Sequence, residues 1–343
     1  MTSAPNKVAY TVYTDCRWPA ATGIGVVMSE MISGSPGNVK ISDLIISGSA
    51  GSPLSPAMIA SALSKVKANS GVFWNPGFVP PLYARIPTVV TVHDLLHLDF
   101  YSGWHKLYYN VVFRNLYRKC DAIICVSEYT RKSFIKWSGI SGSKVHLVLN
   151  GGASPAFFKN SETLKLPFPY VLYPGNHRAH KNLDRLITAY FASSLPGQGI
   201  HLVMTGSENA ALRDLARRLG GEDLIHFLGL LSLEDVPKLY KGSVAVVFVP
   251  LSEGFGLPIL EGMASGVPVL TSNITSMPEV AGDAALLVDP YSTEGLKSAL
   301  ERIVNDKDLR DELVEKGRER ATRFDWQRSA TEFWGIVDQL AGR

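Results

Sequence analysis

Short apolar runs closed by glycine, proline or polar turns alternate along the chain with stretches whose apolar positions recur every three or four residues. Continuous apolar runs suit strands buried on both faces, and the longer periodic stretches suit amphipathic helices. In the first half this predicts strands at 8–14, 41–46, 71–75, 88–92, 122–126 and 145–149, with helices at 25–33, 56–69, 104–119 and 128–137. Periodicity lapses over 151–169, where Pro155, Pro167 and Pro169 fall, and this stretch reads as a connection between domains. The alternation then restarts, with strands at 170–173, 201–205, 224–227, 244–249, 267–271 and 285–288. Helices are predicted at 183–193, 209–219, 233–240, 257–264 and 293–304, then a charged helix at 308–320. A final segment, 326–340, carries Ala330, Phe333, Val337 and Leu340 at helical spacing.

Two rounds of strand–helix alternation predict an α/β chain of two Rossmann-like domains with parallel sheets. The expected divisions are 1–165, 166–322 and a C-terminal helix in 323–343 that packs back toward the first domain. The two domains are expected to face each other across a cleft at the C-terminal ends of their strands. A length of 343 residues accommodates both domains, and 46% apolar with 19% charged residues is a globular composition. Three cysteines, Cys16, Cys120 and Cys125, form neither a disulfide framework nor a zinc spacing, which favours a reducing compartment. The N-terminus lacks a signal-peptide layout and no apolar run reaches the ~20 residues of a membrane span, so a cytoplasmic location is expected.

The net charge of +3 is unevenly distributed: residues 1–168 hold 16 Lys/Arg against 8 Asp/Glu, and the remainder is acidic. A basic first half suits an anionic partner or an anionic membrane surface, and equally suits ordinary scatter of solubilising charge.

The most informative stretch is Ser252-Glu253-Gly254-Phe255-Gly256-Leu257-Pro258-Ile259-Leu260-Glu261, which directly follows the apolar run 244–250. Strand, glycine turn and helix start form a site where backbone N–H groups and the helix dipole accept a phosphate. Gly254 and Gly256 allow close backbone approach, and Pro258 fits the first helical turn. Carboxylates are poor partners for phosphate but good acceptors for sugar and ribose hydroxyls. Glu253 and Glu261 therefore suit a ligand with phosphate at its centre and hydroxyls at both ends, the shape of a nucleotide-sugar. On these residues alone, a helix-start acid and an incidental surface glutamate remain the alternative.

Glu253 to Glu261 matches the E-x7-E motif, and the match continues through Met263-Ala264-Ser265-Gly266-Val267-Pro268-Val269 and Pro278-Glu279-Val280-Ala281-Gly282-Asp283-Ala284 to Asp289-Pro290. Tyr173-Pro174-Gly175-Asn176 with Lys181-Asn182-Leu183, Thr22-Gly23-Ile24-Gly25, His93-Asp94 and Val126-Ser127-Glu128 extend it over nearly the whole chain. The chain thus resembles the retaining glycosyltransferases of family four, which have the GT-B fold and include many bacterial mannosyltransferases.

The resemblance implies that Glu261 binds the donor ribose and Glu253 the transferred sugar, with Gly254, Phe255, Gly256, Leu257 and Gly206 also on the donor. Lys181 is expected on the diphosphate and Arg178 beside it, with His177 and His180 as competitors for the second place. Fixed positive charge on a departing diphosphate favours Arg and Lys over a mostly neutral His. No Asp-x-Asp diphosphate–metal motif is expected at the donor site, so two cations can stand where a metal would, and neither metal nor cofactor is expected. Gly23 and Gly25 read as a tight turn after the first strand, near the diphosphate or merely joining strand to helix. The often basic position that follows is Val26.

His93, at the end of the strand 88–92, is expected to orient the reacting region without abstracting a proton; a capping histidine is the alternative reading. Asp94 is expected on the acceptor side, as is His97, which reads as a loop residue together with Asp99. Retention and front-face transfer are implied by the resemblance, the leaving phosphate helping to deprotonate the acceptor hydroxyl. The implied function is hexose transfer, favouring mannose from GDP-mannose, to a glycan or lipid-linked saccharide in cell-surface polysaccharide or lipopolysaccharide assembly. The competing readings are a nucleotide-sugar epimerase or phosphorylase of the same fold, or a noncatalytic nucleotide-sugar-binding subunit. The aromatic and basic stretch 104–119 reads either as a peripheral contact with the inner face of an anionic membrane or as a core helix with a charged outer side. No nucleic-acid motif is present.

Overall fold

The computed structural model describes residues 9–19, 22–159 and 162–342. Val8, the first residue of the first predicted strand, lies outside the described residues. The chain divides into two compact units, one formed by 1–151 with 325–343 and the other by 152–324.

The first unit is a six-stranded parallel sheet: β1 (Tyr10–Thr14), β2 (Val39–Asp43), β3 (Gly71–Asn75), β4 (Thr88–Val92), β5 (Ala122–Cys125) and β6 (Val145–Leu147). The strand order is β2-β1-β3-β4-β5-β6, so the chain reverses its direction of progress between β1 and β3. Every residue of β4 and β5 is buried, as unbroken apolar runs demand of central strands. One face packs Phe73, Val90, Tyr117, Ile123 and Phe134 together. The other packs Val27, Met31 and Trp74 against Phe333, Trp334 and Val337 of the helix Trp326–Ala341. That last helix is locked in place by Trp334 Nε1–H donating to the Met31 carbonyl (2.8 Å) and Ser329 Oγ–H donating to the Leu149 carbonyl (2.5 Å).

The second unit contains β7 (Tyr170–Tyr173), β8 (His201–Met204), β9 (Ile225–Phe227), β10 (Ala245–Phe248), β11 (Val269–Ser272) and β12 (Leu286–Val288). All strands are parallel in the order β12-β11-β10-β7-β8-β9, which places the reversal between β7 and β10. In such sheets ligands bind beyond the carboxyl ends of the strands flanking the reversal. Residues 152–165, expected with the first domain, belong to this unit because Phe157 packs edge-on against Tyr240 (5.3 Å) and Leu164 N–H donates to the Lys238 carbonyl (3.0 Å).

The helix expected at 104–119 is interrupted. Residues Gly103–Tyr108 are α-helical, Tyr109–Phe113 form a π-helical turn, and Arg114–Tyr117 resume the α-helix. Among the described residues, no helix is long and apolar enough to cross a membrane.

Candidate active site

The second unit gathers its polar side chains at the β7/β10 reversal. After β7 the chain turns through Gly175 (φ +130°), runs through a short 3-10 turn (Ala179–Lys181) and enters the helix Leu183–Ala192 by way of Asn182 at φ +64°. The left-handed Asn182 is held by its own side chain, whose Nδ2–H donates to the carbonyls of Pro290 (2.8 Å) and Val249 (3.2 Å). This fixes Lys181 beside the chain that leaves β10, and Leu251 N–H donates to the His180 carbonyl (2.8 Å).

Lys181 Nζ forms an ion pair with Glu253 Oε1 and also sits over the Phe248 ring, 4.8 Å from its centroid. His180 Nε2 lies 3.4 Å from the same carboxylate oxygen. Burial works against ionisation of Glu253, but the Lys181 ammonium and the bond from His180 outweigh it and hold the carboxyl below its usual range. Ser276 steadies the glycine turn from behind, its hydroxyl donating to the carbonyls of Glu253 (2.9 Å) and Phe255 (3.2 Å).

Gly256 then caps the helix Leu257–Ala264 at φ +101°. A Cβ there would meet Met277 Cε at 2.7 Å, so conformation and space both demand glycine. Glu261, one turn into that helix, accepts a hydrogen bond from the Tyr240 hydroxyl (2.5 Å). Burial raises the Glu261 carboxyl above its usual range, and the Tyr240 bond only partly offsets this. The two motif glutamates are thus set in opposite directions: Glu253 is neutralised by a cation, while Glu261 is cushioned by a phenol.

The three cation candidates upstream of Lys181 separate clearly. His177 is tied by Nε2 to the Thr205 carbonyl (2.8 Å) and His180 is buried against Glu253, whereas Arg178 is exposed. Gly206, at φ +91°, lies beside this group: a Cβ on it would stand 3.3 Å from the Gly175 carbonyl and 3.4 Å from the His177 ring.

In the first unit Gly23, read as part of a tight turn with a helix predicted from Gly25, instead opens that helix, which runs Gly23–Ser33. Thr22 caps this helix by accepting from Gly25 N–H (3.1 Å). His93 follows β4, and its Nε2–H donates to the Pro76 carbonyl (2.7 Å). Burial lowers its pKa to about 4, so it stands neutral at pH 7 with Nδ1 as the basic nitrogen. Asp94, two residues before the next short helix, accepts from Leu96 N–H (3.1 Å). His97, expected in a loop, lies in that helix (Leu96–Asp99), buried and stacked on Tyr109.

Several residues in and around these two sheet edges escape a motif search. Tyr240 and Ser276 serve the second unit's turn. In the first, Asp15 holds Arg17 Nη2 (2.7 Å) and Asn75 Nδ2 (3.0 Å), and the Trp18 ring packs against Gly77 where a Cβ would stand. Their signal is a polar residue beside a strand end, too common to single out one by one.

The family model "Glycosyl transferases group 1" matches residues 156–320, and "Glycosyltransferase Family 4" matches 66–151. The chain belongs to these glycosyltransferases. It is 28% identical to O-antigen chain mannosyltransferase B of Escherichia coli, across 76% of this chain and 72% of that one. It is also 28% identical to the serotype-specific mannosyltransferase WbdA of Escherichia coli, across 71% of this chain but only 32% of that longer relative. Sucrose-phosphate synthase from Thermosynechococcus elongatus superposes with a TM-score of 0.80 over 97% of this chain and 99% of that one; at 18% identity this shows the GT-B fold alone.

Proposed function

We propose that this glycosyltransferase moves a hexose from a nucleotide-sugar, favouring mannose from GDP-mannose, onto a glycan or lipid-linked saccharide in cell-surface polysaccharide assembly, with the anomeric configuration retained. The observation that carries this reading is the set of Lys181, His180, Glu253 and Glu261 at the β7/β10 reversal. Glu261, backed by Tyr240, accepts from the ribose hydroxyls, and Glu253 accepts from hydroxyls of the sugar. Lys181 and the exposed Arg178 meet the diphosphate, so the charge that grows as the anomeric C–O bond breaks is balanced by fixed cations without a metal. The acceptor oxygen bonds to the anomeric carbon on the face the phosphate leaves, and its proton passes to a phosphate oxygen. His93, neutral and anchored to Pro76, orients the sugar and takes no proton. The protein acts by positioning and charge stabilisation, in the cytoplasm or against the inner face of the cell membrane.

The relatives named as mannosyltransferases support the choice of sugar. The test is a thermal-shift screen against GDP-, UDP-, ADP- and dTDP-sugars, followed by turnover with proton NMR of the product anomer. GDP-mannose should stabilise the chain most and give an α-linked product from the α-linked donor. If every nucleotide-sugar at saturating concentration leaves the melting temperature unchanged, the reading fails.

A further inference from the structure

Arg178 and Lys181, the two cations read as meeting the diphosphate, stand in different states. Arg178 is exposed, and its guanidinium has no partner among the described residues. Lys181 is already engaged: its ammonium is paired with Glu253 Oε1 and lies 4.8 Å from the centre of the Phe248 ring, with most of the side chain buried. An ammonium so placed meets a phosphate only by giving up its carboxylate.

The backbone on either side of the pair is fixed. Asn182 Nδ2 holds the Pro290 and Val249 carbonyls, and Leu251 N–H holds the His180 carbonyl. Ser276 holds the carbonyl of Glu253. What can move is the lysine stem, a flexible four-carbon chain that ends in a compact charge. Lys181 and His180 (3.4 Å) both approach Oε1 of Glu253, so Oε2 is the oxygen left to a first sugar hydroxyl.

The penalty for moving Lys181 depends on what replaces it at Glu253. A buried carboxylate stripped of its cation is strongly disfavoured, and the 3.4 Å His180 contact is too long to compensate. Hexose hydroxyls do compensate, because hydrogen bonds from O–H to an ionised carboxylate are short and strong. A bare nucleoside diphosphate brings no such group to Glu253, since its ribose is assigned to Glu261.

We propose that the Lys181–Glu253 pair is a charge lock opened by the sugar: hexose hydroxyls take over Glu253 and release Lys181 to the diphosphate. The site then grips a nucleotide-sugar and loosens on the nucleoside diphosphate left after transfer, when Glu253 reclaims Lys181. This rests on the donor roles assigned above and adds to them a means of telling substrate from product.

The test is calorimetry of the full chain with GDP, GDP-mannose, UDP and UDP-glucose. Glu253→Gln keeps the shape and removes the charge. It should tighten the bound nucleoside diphosphate roughly tenfold and leave its nucleotide-sugar no tighter than in wild type. Simple loss of repulsion between Glu253 and phosphate would also tighten the diphosphate, but with or without Lys181. In a Lys181→Met background the same change should therefore tighten it less than about twofold. An equal gain in both backgrounds, an equal gain for the nucleotide-sugar, or no gain at all overturns the lock and leaves the donor roles standing. A wild type that binds none of the four compounds overturns both. Should Lys181→Met fail to fold, wild type carrying nitrogen-15 lysine decides instead. An ammonium resonance that is missing from Glu253→Gln and shifts when GDP-mannose or UDP-glucose saturates the wild type supports release. Its absence, or a resonance that the donor leaves in place, overturns it.

Discussion

Removing Lys181 while leaving Glu253 in place is the sharpest perturbation this fold offers. The two side chains are 11% and 16% exposed and ion-paired at the end of β10. Without Lys181, the Glu253 carboxylate keeps the His180 contact at 3.4 Å but loses its one fixed cation. Breaking a buried pair from one side costs about 3–5 kcal/mol when the remaining charge is fully enclosed. Partial access to water at this pair lowers the expectation to about 2–3 kcal/mol for Lys181→Met.

For a unit the size of 152–324 that corresponds to a fall in melting temperature of roughly 4–12 °C. Glu253→Gln should cost less, and the double variant Lys181→Met with Glu253→Gln should recover part of the loss, giving a coupling energy of about 1–2 kcal/mol. Urea unfolding of the wild type, both single variants and the double variant measures it. The sign with pH is fixed as well. Because the folded-state pKa of Glu253 is depressed, its contribution is present above the unfolded carboxylate value near ~4.3 and is lost as pH falls through the lower folded value. Additive single-variant costs, with coupling below about 0.5 kcal/mol, would refute the electrostatic account of the pair.

Three further outcomes follow from the same geometry. Glu261→Gln removes a buried carboxylate whose pKa is raised, so it should stabilise the chain above pH ~5, while donor calorimetry shows binding weakened by roughly tenfold or more; tighter or unchanged donor binding would remove Glu261 from the ribose. Gly256→Ala should destabilise by about 1–3 kcal/mol, from its φ of +101° and the Met277 methyl in the path of the new Cβ; a cost below about 0.5 kcal/mol in urea unfolding would show that the turn relaxes. His93, with its pKa lowered to about 4, should leave the kcat profile flat through pH 6–7, whereas stability declines as pH falls from ~6.5 toward 4 because only the unfolded chain takes up the proton. A limb in kcat near pH 6.5 that vanishes in His93→Gln would overturn its assignment as a neutral orienting group.

The central strands were legible because a strand covered on both faces must be an unbroken apolar run, as in 122–125, 170–173 and 245–248; the edge strand β2, Val39–Asp43, with Lys40 and Asp43 exposed, carries no such run and begins two residues before the 41–46 predicted. The turn between β10 and the helix Leu257–Ala264 was legible for a different reason: Gly254, Gly256 and Pro258 directly after an apolar run mark a strand-to-helix turn. What the residues did not disclose was pairing. Nothing local in Ala179-His180-Lys181 says that Lys181 will meet Glu253, because the contact depends on β7 and β10 becoming neighbours across 72 residues of sequence separation. Nor could 104–119 be resolved into α, π and α segments, since the π turn at Tyr109–Phe113 carries no glycine or proline to mark it. His97 was placed in a loop because a helix of four residues, Leu96–Asp99, is too short to show periodicity. Thr22 shows the reverse case: its capping bond makes Gly23 a helix-opening residue, although glycine favours reading it as a turn.

The helix Trp326–Ala341, which completes the core of the first unit with Phe333 and Trp334, also sets an order of events during synthesis. Segment 1–151 emerges from the ribosome with Val27, Met31 and Trp74 lacking their final covering, and the whole of 152–324 must be made before that covering appears. At ~5–20 residues per second the wait is about 10–35 s, long compared with the folding of most single domains. The second unit therefore has everything it needs to fold before the unit that precedes it in the chain. The nascent first unit is the part that needs shielding from aggregation, and a frameshift or truncation near residue 325 would harm the end of the protein that was translated first.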